Sequence, residues 1–195
     1  MSEVVRDVYW RPWEDPGLEH LHLSVDSDGA QALGLILRMQ DGQHFRCRYT
    51  LSTDPEWRVR QLTIAMTPAE GGPGQRLELE SDGDGHWRAD GAPRPDLEGC
   101  RDVDIQVTPF TNTLPVRRLG LAEGDSADIR VAYVAVPDVT VTPAEQRYTC
   151  LASQDADGGR YRYDGLFRNF TADLPVDGDG LVMDYPETFR RVWPT

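Results

Sequence analysis

The chain has no lysine. All 20 of its basic residues are arginine, set against 33 acidic ones, for a formal net charge of −13. So acidic a surface repels phosphate backbones and anionic bilayers, which argues against nucleic-acid partners and against attachment to a membrane surface. Long apolar runs are missing too. None approaches the ~20 residues of a membrane-spanning helix, so no membrane insertion is expected. The opening "MSEVVRDVYW" has neither the basic nor the apolar region of a secretory signal, and the expected compartment is the cytoplasm. Cysteine is scarce: Cys47, Cys100 and Cys150 show no paired spacing, which excludes a disulfide framework, a redox motif or a zinc site of familiar pattern. A nucleophile elbow and a phosphate-cradling glycine loop are also absent, so no catalytic residue, metal or cofactor is assigned.

What is present is short-range alternation. In "LEHLHLSV", Leu21, Leu23 and Val25 alternate with His20, His22 and Ser24. In "HFRCRYTL", Phe45, Cys47, Tyr49 and Leu51 alternate with polar residues. Period two of this kind marks strands with one buried face, and it makes Cys47 a small core residue. Asp-Gly turns separate the strands at 26–30, 40–43, 81–85, 155–159 and 176–180. The apolar phase slips between Val59 and Leu62, which predicts a β-bulge near Arg60–Gln61. Two segments, "ALGLILRM" (32–39) and "IRVAYVAV" (129–136), are apolar on both faces and are expected to be covered twice. At 195 residues the chain suits a single domain, 1–195, able to bury roughly 70% of its unfolded surface.

Helical signals are few. "PETFRRVW" (186–193) predicts a short C-terminal helix with Phe189 and Trp193 one turn apart. The other candidate is "TPFTNTLPVRRLGLAEG" (108–124), too apolar for a loop and too broken for a strand. There Thr113 is expected to cap, Pro115 to sit in the first turn and Gly120 to terminate; a start at Thr111 would leave Pro115 at a kink.

Other polar clusters have bland readings. His20 and His22 share a strand face, and His44 lies on another strand, without a fixed third ligand. Glu78 with Glu80, Asp102 with Asp104, Arg46 with Arg48 and Arg58 with Arg60 are expected to form ion pairs on an outer surface. The tryptophans and tyrosines supply core, and some could line a cavity inside a curled sheet.

The run "LEGCRDVDIQVTPFTNTLPVRRLGL" (97–121) resembles the signature of the bacterial Putative glycolipid-binding family. The resemblance continues through "PGLEHLHL" (16–23), "SDGDGHW" (81–87), "RVAYVAVPDVTVTPAEQRYT" (130–149), "RYRY" (160–163) and "DLPVDGDGLVMDYPETFRR" (173–191). It implies a mainly β fold, a spiral β-roll in which a long antiparallel sheet of many strands wraps one short helix, and it implies a homodimer. The functional expectation is non-catalytic binding of a glycolipid or other amphipathic small molecule. Asn112, Thr113, Arg117 and Arg118 would meet its polar head. Alternatively these four residues only plug the roll. Two other readings stay open: a structural or protein-interaction homodimer, and a hydrolase or isomerase acting on a hydrophobic substrate.

Overall fold

The structure is a computed structural model and describes residues 3–68 and 71–195. Eight strands come first: β1 (Val4–Pro12), β2 (Gly17–Val25), β3 (Ala30–Gln40), β4 (Gln43–Thr53), β5 (Val59–Pro68), β6 (Gln75–Ser81), β7 (Trp87–Ala89) and β8 (Ala92–Pro93). Then follow β9 (Asp102–Ile105), a 3-10 turn (Phe110–Asn112) running into α1 (Thr113–Leu119), β10 (Ser126–Ala135), β11 (Thr140–Asp155), β12 (Gly158–Gly165), β13 (Phe170–Val176), β14 (Asp184–Tyr185) and β15 (Phe189–Trp193). A ten-stranded sheet has the order β14-β15-β1-β2-β3-β4-β5-β6-β7-β8, and a five-stranded sheet the order β13-β12-β11-β10-β9. Neighbours are antiparallel except β9 and β10, which run parallel.

The two sheets meet at a seam. Val176 bridges Val182, the Met183 N–H donates to Pro175 O at 2.9 Å, and buried Trp10 Nε1 donates to Val182 O at 2.8 Å. The strands therefore form one wound band around α1. One core cluster gathers the inner side chains of β1–β7 with Phe110 and Leu114, while a second gathers β11–β13 with Val116, Tyr185 and Phe189. The helix thus presents different faces to the two sheets. Leu114, fully buried, would cost about 2–5 kcal/mol if cut to alanine.

The local readings largely hold. Leu21, Leu23, Phe45, Cys47, Tyr49 and Leu51 all face inward. The Asp41–Gly42 turn closes the β3–β4 hairpin with both φ positive (51° and 76°). The predicted bulge is at Arg60: Ser52 faces Gln61 while Thr53 faces Val59. Gly120 ends α1 in the left-handed region.

Three expectations are corrected. "ALGLILRM" is not covered twice: Leu33, Leu35 and Leu37 are 49, 41 and 47% exposed, because nothing in the described chain packs on the outer face of β3. In "IRVAYVAV" the expectation holds in part: Ala132 and Val134 lie in one core cluster and Val131 is buried on the opposite face, where Ile129, Tyr133 and Ala135 are only half-buried. "PETFRRVW" is not a helix. Its residues 189–193 pair with the edge of β1, Trp10 opposite Arg191, and this ladder outweighs a weak helical preference. Phe189 is buried while Trp193 is 53% exposed, so the two never stack. Thr113 does not cap: the 3-10 turn leads directly into α1, and its hydroxyl is buried without a partner.

Candidate functional site

Strand pairing gives the roll two ends. Val4 faces Val25 and Thr53 faces Val59 at one; Pro12 faces Phe189 and Gln40 faces Gln43 at the other. At the first, the loop between β4 and β5 presents Trp57. Asp54 holds that loop: its Oδ1 accepts from the N–H groups of Glu56 (3.1 Å) and Arg58 (2.9 Å). Trp57 itself has φ of 63°, a conformation that costs a bulky side chain roughly 1–3 kcal/mol. Its ring receives the Arg117 guanidinium at 5.0 Å from the centroid.

Arg117 stands between two grooves. One, of about 80 Å³, is mainly apolar, lined by Val4, Leu23, Val25 and Trp57 with Arg6 and Asp179 at its rim. The other, of about 360 Å³, is more polar, lined by Ser153, Gln154, Asp155 and Tyr161 with Val116 and Leu121. Gly180, at φ of 81°, leaves room for Arg117; a Cβ there would sit 3.1 Å from Arg117 Cδ.

The four side chains expected to meet a ligand head are not gathered in one place. Asn112 is buried, its Nδ2 donating to Pro109 O at 3.1 Å and its Oδ1 accepting from the Tyr148 hydroxyl at 2.8 Å. Thr113 is wholly buried. Arg118 points inward and grips Asp102 in a fork, Nε–Oδ1 2.9 Å and Nη2–Oδ2 2.6 Å. Burial opposes the Arg118 charge, but the bonds to Asp102 outweigh it and hold its pKa above the usual value. Asp102 is therefore an interior anion rather than part of an outer ion-pair array. Arg117 alone of the four is exposed.

Four arginines are held by aromatic rings rather than by carboxylates. Arg38, Arg117, Arg168 and Arg190 stack on aromatic rings, and none of them joins an ion pair among the described residues. On the outer face, Asp7 Oδ1 accepts from His20 Nε2 (2.8 Å) and His22 Nδ1 (3.0 Å). Those bonds lower the Asp7 pKa. Among the described residues no three His, Cys, Asp or Glu side chains converge on a metal position.

Sequence reasoning missed Glu19. The parity that turns Leu21 and Leu23 inward also buries Glu19, between β1 and β3. Gly34 lacks a side chain opposite Tyr49, so that ring lies across it, and the Tyr49 hydroxyl reaches Glu19 Oε1 at 2.7 Å. Thr108 Oγ1 donates to the same oxygen at 2.7 Å, tying the segment before α1 to the sheet. Oε2 is buried without a partner. Burial pushes the Glu19 pKa up to about 7, against the pull of these hydrogen bonds and of Arg38. Asp104, half-buried on β9, also has its pKa raised by burial, and it accepts from Gln146 Nε2 (2.6 Å) and Thr111 Oγ1 (3.3 Å).

Comparison with known proteins places the chain in a family. The family model described as Putative glycolipid-binding matches residues 7–191. A crystal structure of a DUF1089 family protein from Pseudomonas aeruginosa is similar over 92% of this chain and 95% of that one, at 37% identity and a TM-score of 0.78. No curated protein matches.

Proposed function

The chain belongs to the Putative glycolipid-binding family, and on that premise we propose that it binds an amphipathic small molecule, such as a glycolipid, without transforming it. The observation that carries this reading is Arg117. It is an exposed cation without a carboxylate partner among the described residues, held on Trp57 between an apolar groove and a polar one. A sugar or anionic head fits the polar side, where Gln154, Asp155 and Tyr161 offer hydrogen bonds; the root of an acyl chain fits against Trp57, Leu23 and Val25. The strained backbone at Trp57 agrees with a ring held in place for contact. In this reading α1 fills the roll and the ligand lies across its end, so Asn112, Thr113 and Arg118 support the site from beneath.

The test is native mass spectrometry of protein purified from its own host, followed by lipid extraction. A stoichiometric lipid that is lost in Arg117→Ala and Trp57→Ala, and retained in Arg46→Ala on the outer face, is the expected result. Ligand-free wild-type protein, or retention in both end variants, would overturn it.

A homodimer is the second reading, favoured by the outer face of β3. Leu18, Leu33, Leu35 and Leu37 form an uncovered apolar stripe. Arg46 and Arg48 flank it on β4, and Asp7 with His20 and His22 on the opposite side. A second copy related by a two-fold axis along β3 would lay each basic flank over the other's Asp7 side. An axis across the strands would oppose arginine to arginine. An acid–base enzyme would need Glu19 or Asp104 to face substrate, and neither lines the grooves at the Arg117 end. The three cysteines are buried and unpaired, which suits a reducing compartment such as the cytoplasm.

A further inference from the structure

At the opposite end of the roll, the turn joining β12 to β13 carries Arg168 into a box of aromatic rings. Its Cζ lies 5.1 Å from the Phe170 centroid, 5.2 Å from Phe167, and 5.9 Å from both Tyr133 and Tyr163. The rings come from separate parts of the fold: Tyr133 from β10, Tyr163 from β12, Phe170 from the first residue of β13, and Phe167 from the turn. Buried Tyr185 packs edge-on to Tyr163 and tilted to Phe170, which fixes the floor. Asp104 stands beside Tyr133 in register, and its carboxylate favours the Arg168 charge.

A guanidinium carries five N–H donors. The Arg168 side chain makes one hydrogen bond among the described residues, a long 3.4 Å contact from Nη2 to the Tyr163 hydroxyl, and no ion pair with a described carboxylate. The box offers ring faces, with the Tyr133, Tyr163 and Tyr185 hydroxyls as its acceptors. Such a surface suits a cation that has no N–H to satisfy. Arg168 is also exposed and reaches the box from outside. The N–H groups of Leu166 and Arg168 anchor the turn to Glu145 O (3.1 Å) and Gly165 O (3.0 Å), so the side chain can swing away while the backbone stays in place.

We propose that the Tyr133–Tyr163–Phe167–Phe170 box is a binding site for a quaternary ammonium group, with Arg168 as an internal lid that occupies it when the ligand is absent. The site is distinct from the Arg117 grooves and does not depend on them. A lid in place about nine-tenths of the time weakens the apparent affinity about tenfold. Removing the lid therefore strengthens binding rather than weakening it.

The test titrates tetramethylammonium chloride, with sodium chloride at matched ionic strength as control, into the wild type, Arg168→Ala and the double variant Arg168→Ala/Phe167→Ala. The readouts are the aromatic NMR signals of Tyr133 and Tyr163, and in the wild type the Arg168 Nε–H. Expected are saturable ring shifts, about tenfold tighter in Arg168→Ala, lost in the double variant, with release of the Arg168 signal in the wild type. Absence of a saturable shift up to about 100 mM in Arg168→Ala that is folded by circular dichroism would overturn the proposal. So would tighter binding of guanidinium than of tetramethylammonium, which would make Arg168 a structural cap. Should Arg168→Ala fail to fold, Arg168→Gln is read in the same way.

Discussion

Glu19→Gln should make the protein's stability less dependent on pH. In the fold the Glu19 carboxyl is raised from an ordinary 4.5 to about 7, chiefly by burial. The folded chain therefore binds this proton more tightly than the unfolded one. The stabilisation from holding it is complete below pH 4.5, declines as pH rises, and is gone above about 7. At 1.36 kcal/mol per pH unit, the loss across that window is about 3 kcal/mol. Glutamine keeps the oxygen that accepts from Tyr49 and Thr108, and its amide occupies the place of the unpartnered Oε2. Its buried N–H costs about 1–3 kcal/mol, but that cost does not change with pH. The difference in stability, variant minus wild type, should therefore rise by about 3 kcal/mol between pH 4.5 and 7.5. Urea unfolding followed by tryptophan fluorescence at intervals of one pH unit measures it, with unchanged m-values as the condition for comparison. Subtracting the two profiles removes the titration of every other carboxylate. Parallel profiles would refute the argument, since Glu19 would then titrate alike in both states.

Adjacent arginines on α1 should behave in opposite ways. Arg118→Ala strands the fully buried Asp102 and should cost about 3–5 kcal/mol in chemical denaturation, whereas Arg117→Ala should cost no more than about 1 kcal/mol. Gly34→Ala would place a Cβ 1.9 Å from Tyr49 Cε1 and displace the ring from Glu19. A loss of about 1–3 kcal/mol, seen as a lowered Tm, is expected. Leu35→Arg, at the centre of the outer stripe, should convert a dimer to a monomer in light scattering after size exclusion and leave the unfolding free energy of dilute protein unchanged within about 0.5 kcal/mol. A wild type that is already monomeric at high concentration would remove the homodimer reading.

Much of the fold could be read from the sequence because alternation and turn chemistry are local. Leu21, Cys47 and Leu51, the Asp41–Gly42 turn and the slip at Arg60 each needed only a few neighbouring residues. Elements governed by distant partners were less accessible. Residues 189–193 are a strand because β1 offers an edge, and nothing in "FRRVW" records that edge. A two-sided apolar strand can be covered twice or left open once; β10 is covered twice only at Val131, and β3 is open on its outer face. The site was harder still. Arg117 and Arg118 differ by one step around a helix, which sends one to Asp102 inside and the other to Trp57 at the rim. Glu19 could have been found by carrying the parity of Leu21 back by one more pair.

The seam between the two sheets joins residues made at opposite times. Trp10 hydrogen-bonds Val182 across 172 residues of chain, and β1 completes its pairing with β15 only after almost every other strand exists. On a ribosome adding about 5–20 residues per second, β1–β8 would wait many seconds for that partner. Early in that interval the apolar side of the growing sheet has neither α1 nor β9–β13 against it, because they are not yet made. Closure must also bear the entropy of a very long loop, which makes for slow folding. Newborn chains are therefore at their most adhesive after β8 and before α1 and β9–β13 are made, and yield in the cell should depend on how crowded and how well chaperoned that moment is.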